Sequence, residues 1–318
     1  MADDNTFDRL LATGAPLVAD GAMGTTLFSL GLEGGGCPEL LNLEQPDLVE
    51  KVHRGFIDAG SDIILTNTFG GNRLRLALHD LDSRVAELNA AAVSIARRAV
   101  DQAGRPVAIA GSVGPTGELL APLGTLSHEQ AVEVFAEQCQ ALAEAGADVL
   151  WIETISSFEE LEAACQGAAT TSLPYTATLS FDTAGHTMMG ISPRAFGEWW
   201  LNHKGPNHEG PNHQSLAALG ANCGIPLYKS EGGLTYPIGP DRMGDYVNLA
   251  LRAGARIIGA CCGSTPDHIA AIREAVDGYS GGARPSFEEI QERLEASVLP
   301  SPKAHRPSRR KDRARLNA

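Results

Sequence analysis

Three cysteines are spaced as a thiolate metal site would need them. Cys223 closes the run SLAALGANC (215–223), and Cys261 and Cys262 close RIIGACC (256–262). Gly224 and Gly263 follow, so each group sits where an apolar, strand-like run turns into a loop. Thiols brought to one edge of a sheet suit zinc, which takes cysteine sulfur at about 2.3 Å, and three protein ligands leave a fourth position open. Three thiolates make the ion a weak Lewis acid, poorly suited to activating water. The chemistry such a site favours is to bind a fourth thiol and hold it deprotonated. The substrate expected is a thiol that attacks an electrophilic carbon. The competing reading is three small residues at strand ends. Cys139 and Cys165 lie in the helical patterns FAEQCQALAEAG and LEAACQGAA and read as buried small residues.

The elements that must position these thiols alternate regularly. Strand-like runs fall at 16–23, 62–69, 106–114, 148–155, 174–182, 215–223 and 256–262. Helical patterns fall at 46–59, 83–102, 127–145, 157–170, 193–201, 240–253 and 266–277, with one more at 285–297. Ser127 followed by Gln130 predicts a capping box. The strands are short, continuous apolar runs, the pattern of strands covered on both faces in parallel sheets. Repeated strand–helix units build either a doubly wound sheet or a (β/α)8 barrel. Nearly every strand ends in a polar or glycine cluster, among them Asp20-Gly21, Thr66-Asn67-Thr68, Gly111-Ser112, Glu153-Thr154 and Cys261-Cys262. In a barrel these ends converge on one rim. No G-x-G-x-x-G follows the first strand and no P-loop motif occurs, so nucleotide-binding doubly wound folds have no support. The expected fold is an α/β barrel, although only seven strands can be counted where a barrel has eight.

At these residues the sequence resembles the homocysteine S-methyltransferases. GANCG (220–224) and GACCGSTPDHI (259–269) resemble the family's two zinc motifs. DGAMGTTL (20–27), TNTFGGN (66–72) and ETISSFEE (153–160) resemble its first-, second- and fourth-strand motifs. The likeness spans roughly residues 15–277 and is nearest to short bacterial betaine–homocysteine methyltransferases. It implies a (β/α)8 (TIM) barrel over residues 1–284, a C-terminal helix over 285–300 and a basic disordered tail over 301–318. It implies Zn²⁺ on Cys223, Cys261 and Cys262, with the homocysteine sulfur as fourth ligand. Asp20 and the backbone of Gly21, Ala22 and Met23 would meet the amino-acid end of homocysteine. Glu153 would pair with its ammonium, a task that a carboxylate at a strand end can perform by a charge-assisted hydrogen bond. Asn67 and Thr68 would line the same rim. The plainer readings are a turn cap for Asp20, a structural ion pair for Glu153 and loop hydrogen bonding for Asn67 and Thr68. The reaction implied is methyl transfer to the homocysteine thiol, forming methionine, with betaine as donor.

Two features depart from that pattern. Only 37 residues separate Cys223 from Cys261, and GIPLYKSEGGLTYPIG (224–239) holds no clear helix. The seventh strand and the helix before it are expected to be missing or shortened. Aromatic residues are 5% of the chain, and residues 34–45 lack the Trp or Tyr that a quaternary-ammonium cage would use. Phe28, Phe69, Tyr228 and Tyr236 are the aromatic candidates. Corrinoid-, folate- or S-methylmethionine-linked transfer, and a zinc-binding remnant without turnover, stay open. The stretch HKGPNHEGPNHQ (203–214) reads as a loop whose histidines are solvated. Net charge is -14, yet seven Lys/Arg against one acid lie from Lys303 onward, so the rest carries -20. An acidic body argues against nucleic acid as the main partner. No run approaches a membrane span. The opening MADDNTFDRL resembles neither a secretory signal nor a transit peptide, so the cytoplasm is expected. The oligomeric state is open, a homo-oligomer being one reading.

Overall fold

The computed structural model describes residues 5–181, 183, 185–203, 218–221, 227–228 and 234–295. Cys223, His208, His213 and the basic tail lie outside the described residues. Among the described residues nine strands are present: β1 (Leu17–Val18), β2 (Ile63–Leu65), β3 (Ala108–Val113), β4 (Val149–Ile155), β5 (Tyr175–Leu179), β6 (Ala218–Ala221), β7 (Leu227–Tyr228), β8 (Leu234–Thr235) and β9 (Ile257–Ala260). One parallel sheet has the order β1-β9-β6 and another the order β2-β3-β4-β5. They are stitched together by a parallel bridge from Ala19 to Ile63 and by Asp62 N–H donating to Val18 O at 2.7 Å. Seven strands thus run parallel in the order β6, β9, β1, β2, β3, β4, β5. β7 and β8 pair only with each other, antiparallel.

The apolar runs explain why these segments are strands. Alternate residues serve two cores, as the two-residue period of a strand requires. Leu17, Ala19, Ile63, Ala108, Ala110, Val149, Trp151 and Ile257 share one inner cluster. Their neighbours Val18 and Ile258 pack under one set of helices, and Ile64, Ile109, Leu150 and Ile152 under another. The covering helices include Pro46–Asp58, Val85–Asp101, His128–Glu144, Phe158–Ala168, Met243–Ala253 and Pro266–Asp277. The helix His128–Glu144 opens with the expected Ser127–Gln130 capping box. Cys139 and Cys165 are buried in their helices as their patterns implied. No helix among the described residues is long and apolar enough to cross a membrane.

The sequence reading contains neither the short helices Met23–Ser29, Leu41–Glu44 and Arg73–Leu76 nor one at the N-terminal side of β1. Thr6–Ala12 is capped by Asn5, whose side chain accepts from Asp8 N–H and donates to Asp148 O at 2.7 Å. It carries Phe7, 1% exposed, into the inner cluster between the strands. Phe7→Ala is expected to cost about 3–5 kcal/mol, the usual range for emptying a phenylalanine site. A urea midpoint unchanged from the parent would show that the inner cluster does not depend on this ring.

His53, on the helix Pro46–Asp58, is fully buried, and neither ring nitrogen has a hydrogen-bond partner among the described residues. Burial lowers its pKa to about 4, against a smaller opposing pull from Glu50. The unfolded chain binds the proton near pH 6.5, so the contribution of neutral His53 is complete above that value. It is lost as pH falls from 6.5 through 4, by about 3 kcal/mol at 1.4 kcal/mol per tenfold. His53→Leu should flatten this part of the stability–pH curve, measured by denaturant unfolding between pH 4 and 7. An unchanged slope would assign the acid sensitivity to other groups.

The structure revises the 203–214 reading at its first residue. His203 is no solvated loop histidine but the C-cap of the helix Pro193–Asn202, stacked 4.4 Å from Trp199 and 3.4 Å from Glu162. The reason is the aromatic density of GEWWLNH, which gives the imidazole a surface to lie on.

Candidate active site

Asp20, Glu153, Cys261 and Cys262 follow the C-terminal ends of β1, β4 and β9 or lie within them. In a flat sheet β4 and β9 would stand four strand spacings apart, about 19 Å. The Glu153 charge nevertheless acts on Asp20 and Cys261, and the Cys262 charge acts on Glu153. The sheet therefore curls and brings these ends to one mouth.

The thiol pair lies in a tight turn. Its sulfurs are 3.9 Å apart, with Cys262 exposed and Cys261 partly so. Two sulfurs held about 2.3 Å from one tetrahedral ion would stand about 3.8 Å apart. The spacing found thus fits a shared thiophilic metal. A hydrogen bond from Cys261 lowers the Cys262 thiol to about 7, while the same bond, burial and the Glu153 charge push Cys261 up. The pair gives up its first proton readily and holds the second.

The turn is clipped to the loop after β1. Ser264 Oγ accepts Ala22 N–H at 2.9 Å and donates to Cys261 O at 2.7 Å. Gly263 N–H donates to Thr25 Oγ1, and Ala260 N–H to Asp20 O. Close approach demands glycine on both sides. A Cβ on Gly21 would lie 2.6 Å from Ser264 Oγ, and one on Gly263, where φ is +82°, would fall inside the Tyr236 ring. Tyr236 therefore lies directly on the thiol turn. Ser264 was missed in the sequence, although its place two residues after Cys262 in GACCGS was the available signal.

Asp20 is buried and accepts Leu65 N–H at 2.9 Å. Burial and the nearby Glu153 charge raise its pKa well above the carboxylate range, although the Leu65 bond opposes them. Burial also raises Glu153 to about 7, opposed by a hydrogen bond from Ser112. Neither carboxylate has an ion-pair partner among the described residues. Two neighbouring carboxylates, Asp20 buried and Glu153 half-buried, with no cation beside them among the described residues are costly, and a cationic ligand group would relieve them.

Asn67 and Thr68 stand at the end of β2, both buried. Asn67 Nδ2 donates to Pro38 O and Asn42 Oδ1, and Thr68 Oγ1 donates to Ser112 O. Their donors serve the protein itself. Gly21, Ala22 and Met23 open the helix Met23–Ser29, whose cap residue Ala22 offers no side-chain bond. The first-turn amides of such a helix have no partner within it.

Cys223 is outside the described residues, and among the described residues no group of three metal-ligating side chains is present. The frame around it is described. β6 pairs directly with β9, in parallel, with Ala221 opposite Ala260.

Comparison with known proteins gives the class. A family model described as homocysteine S-methyltransferase matches residues 17–276. Methionine synthase of Mycobacterium tuberculosis (strain ATCC 25618 / H37Rv) is 30% identical over 295 residues, covering 82% of this chain and 24% of that protein. Methionine synthase of Mycobacterium leprae (strain TN) is 30% identical over 307 residues, covering 86% and 25%. The chain spans about a quarter of the length of these curated relatives. Among solved structures, the metallated form of the homocysteine methyltransferase MmuM from Escherichia coli is 29% identical with a TM-score of 0.64, covering 85% of this chain and 99% of that one. A methyltransferase from Methanosarcina mazei, 16% identical with a TM-score of 0.50 and covering 86% and 98%, shares the fold. This chain belongs to the homocysteine S-methyltransferase family.

Proposed function

We propose that this chain transfers a methyl group to the thiol of homocysteine, forming methionine, with Zn²⁺ held by Cys223, Cys261 and Cys262. The observation that carries the reading is the open thiol pair, 3.9 Å between sulfurs, near two carboxylates that have no ion-pair partner among the described residues. The reading of Cys223 as third ligand is supported by register. Ala221 lies opposite Ala260, and Cys223 and Cys262 each follow two residues later. The short interval thus draws the first thiol-bearing strand against the second. We read the sheet as a TIM-type barrel lacking its seventh strand and the helix before it, with the β7–β8 hairpin in that interval. We keep the division into a barrel domain (1–284), a C-terminal helix (285–300) and a basic tail (301–318).

When bound, zinc would supply a place where the homocysteine thiol is a thiolate at neutral pH. Glu153 and Asp20 hold the substrate ammonium. In the Gly21–Met23 loop the amides of Gly21 and Met23 take its carboxylate at a helix start, where partial positive charge favours an anion, while Ala22 N–H is held by Ser264 Oγ. Asn67 and Thr68 support this cradle at the rim. A methyl carbon needs no general base, so the work of these residues is to aim the sulfur, a proximity contribution. Betaine is the donor to test first, on the sequence resemblance. A corrinoid-, folate- or S-methylmethionine-linked donor is the second reading.

The test is zinc per chain on reduced protein, with and without homocysteine, followed by a screen of these donors for methionine formation. About one zinc per chain, a changed coordination signal with homocysteine and turnover with one donor are expected. Folded protein that binds no zinc would overturn the reading.

A further inference from the structure

Ser112 lies between the end of β2 and Glu153. It is 1% exposed, and its hydroxyl donates to Glu153 Oε1. Its own backbone is fixed from the β2 side. Ser112 N–H donates to Thr66 Oγ1 at 3.1 Å, and its carbonyl accepts from Thr68 Oγ1 at 2.7 Å and Gln138 Nε2 at 3.2 Å. The hydroxyls of Thr66 and Thr68 are themselves 2.6 Å apart. Two buried hydroxyls thus grip the Ser112 backbone, and the Ser112 hydroxyl carries the connection across the ends of three adjacent strands to one carboxylate.

A second device acts on the same residue from the other side. Thr154 has φ +64°, a left-handed backbone that β-branched residues rarely adopt. The pairing of β4 with β5 shifts register between Ile152 and Ile155, so the strand bulges at Glu153-Thr154. Bulges re-aim side chains, and retained backbone strain concentrates at functional positions.

We infer that Ser112 is a positioning residue for Glu153, fixing Oε1 through the Thr66–Thr68 hydroxyls while the Thr154 bulge aims the carboxylate, so that Oε2 is left for the substrate ammonium. The inference rests on the reading of Glu153 as the ammonium partner. It also explains why Thr68 sits at the rim with its hydroxyl turned to protein. It acts on the substrate through Ser112.

The experiment is equilibrium binding by calorimetry to the full-length, zinc-loaded protein. The two ligands are homocysteine and 4-mercaptobutanoate, which lacks only the amino group. The proteins are the parent, Ser112→Ala, Thr154→Gly, Glu153→Gln and the Ser112→Ala/Glu153→Gln double variant. Ser112→Ala should weaken homocysteine about tenfold or more, the range for a hydrogen bond to a charged group, and leave 4-mercaptobutanoate within about twofold. Thr154→Gly removes no buried group and relieves the strained φ. It should weaken homocysteine several-fold while the melting temperature holds or rises. The double variant should bind homocysteine no worse than Glu153→Gln alone. Equal weakening of both ligands by Ser112→Ala, or no weakening of homocysteine, overturns the inference if Glu153→Gln still discriminates the ligands. If Glu153→Gln treats them alike, the ammonium reading itself falls, and the inference with it.

Discussion

Cys262→Ala is expected to lose bound zinc and methyl transfer together while the fold survives. The side chain is exposed at the mouth rather than packed in a core, so its removal leaves no cavity. What it removes is one of two sulfurs already at the separation a tetrahedral ion requires. Metal activation of a nucleophile contributes several kcal/mol, and at 1.36 kcal/mol per tenfold the loss in turnover is about a thousandfold or greater. Metal content by atomic emission and methionine formation, measured on the same preparation, check it. Full turnover from a zinc-free variant would refute the proposed chemistry. So would a variant that keeps its zinc and loses nothing.

Glu153→Gln should act on a different quantity. The amide keeps the shape and can still accept from Ser112, but it no longer carries the charge that an ammonium would meet. Removing one partner of a desolvated charge pair costs about 2–5 kcal/mol, so the KM for homocysteine should rise by about 30-fold to 5000-fold. Zinc content should be unaffected. Asp20→Asn should show the same direction with an added loss of stability, because its carboxylate also accepts Leu65 N–H inside the protein. A KM unchanged in both variants would leave the amino-acid end of the substrate without its proposed partner.

Most of the frame was legible because burial on two faces and helix capping leave strong local marks. The apolar stretches of β3 and β4 and the Ser127–Gln130 cap identified their elements within a few residues. The strands proved shorter than their apolar runs, β2 being Ile63–Leu65 inside 62–69, because Thr66, Asn67 and Thr68 leave the ladder to build the rim. The helix Thr6–Ala12 did carry a signal, since Phe7, Leu10 and Leu11 stand at i, i+3 and i+4 behind the Asn5 cap, but two turns are too short for that period to stand out. The residues brought together at the mouth, Asp20, Glu153, Cys261 and Cys262, had been singled out by their place at strand ends. Missing from that reading were groups whose role depends on geometry across strands. Ser264 ties two loops 242 residues apart in sequence, and nothing local in ETIS announces that Thr154 takes a left-handed backbone.

The inner cluster joins Phe7 to Ile257, and at the mouth Ala260 N–H donates to Asp20 O. The first strand thus pairs with the last one in the chain, and both levels depend on that pairing. During synthesis at about 5–20 residues per second, Phe7 waits roughly 10–50 s before Ile257 emerges. Contacts of such long sequence separation form late and slowly. Growing chains that stop before β9 would hold the covering helices of the first half but neither a sealed floor nor a thiol turn. Assembly of the mouth is therefore a late event that waits for β9, and chaperone dependence should concentrate in the interval before it.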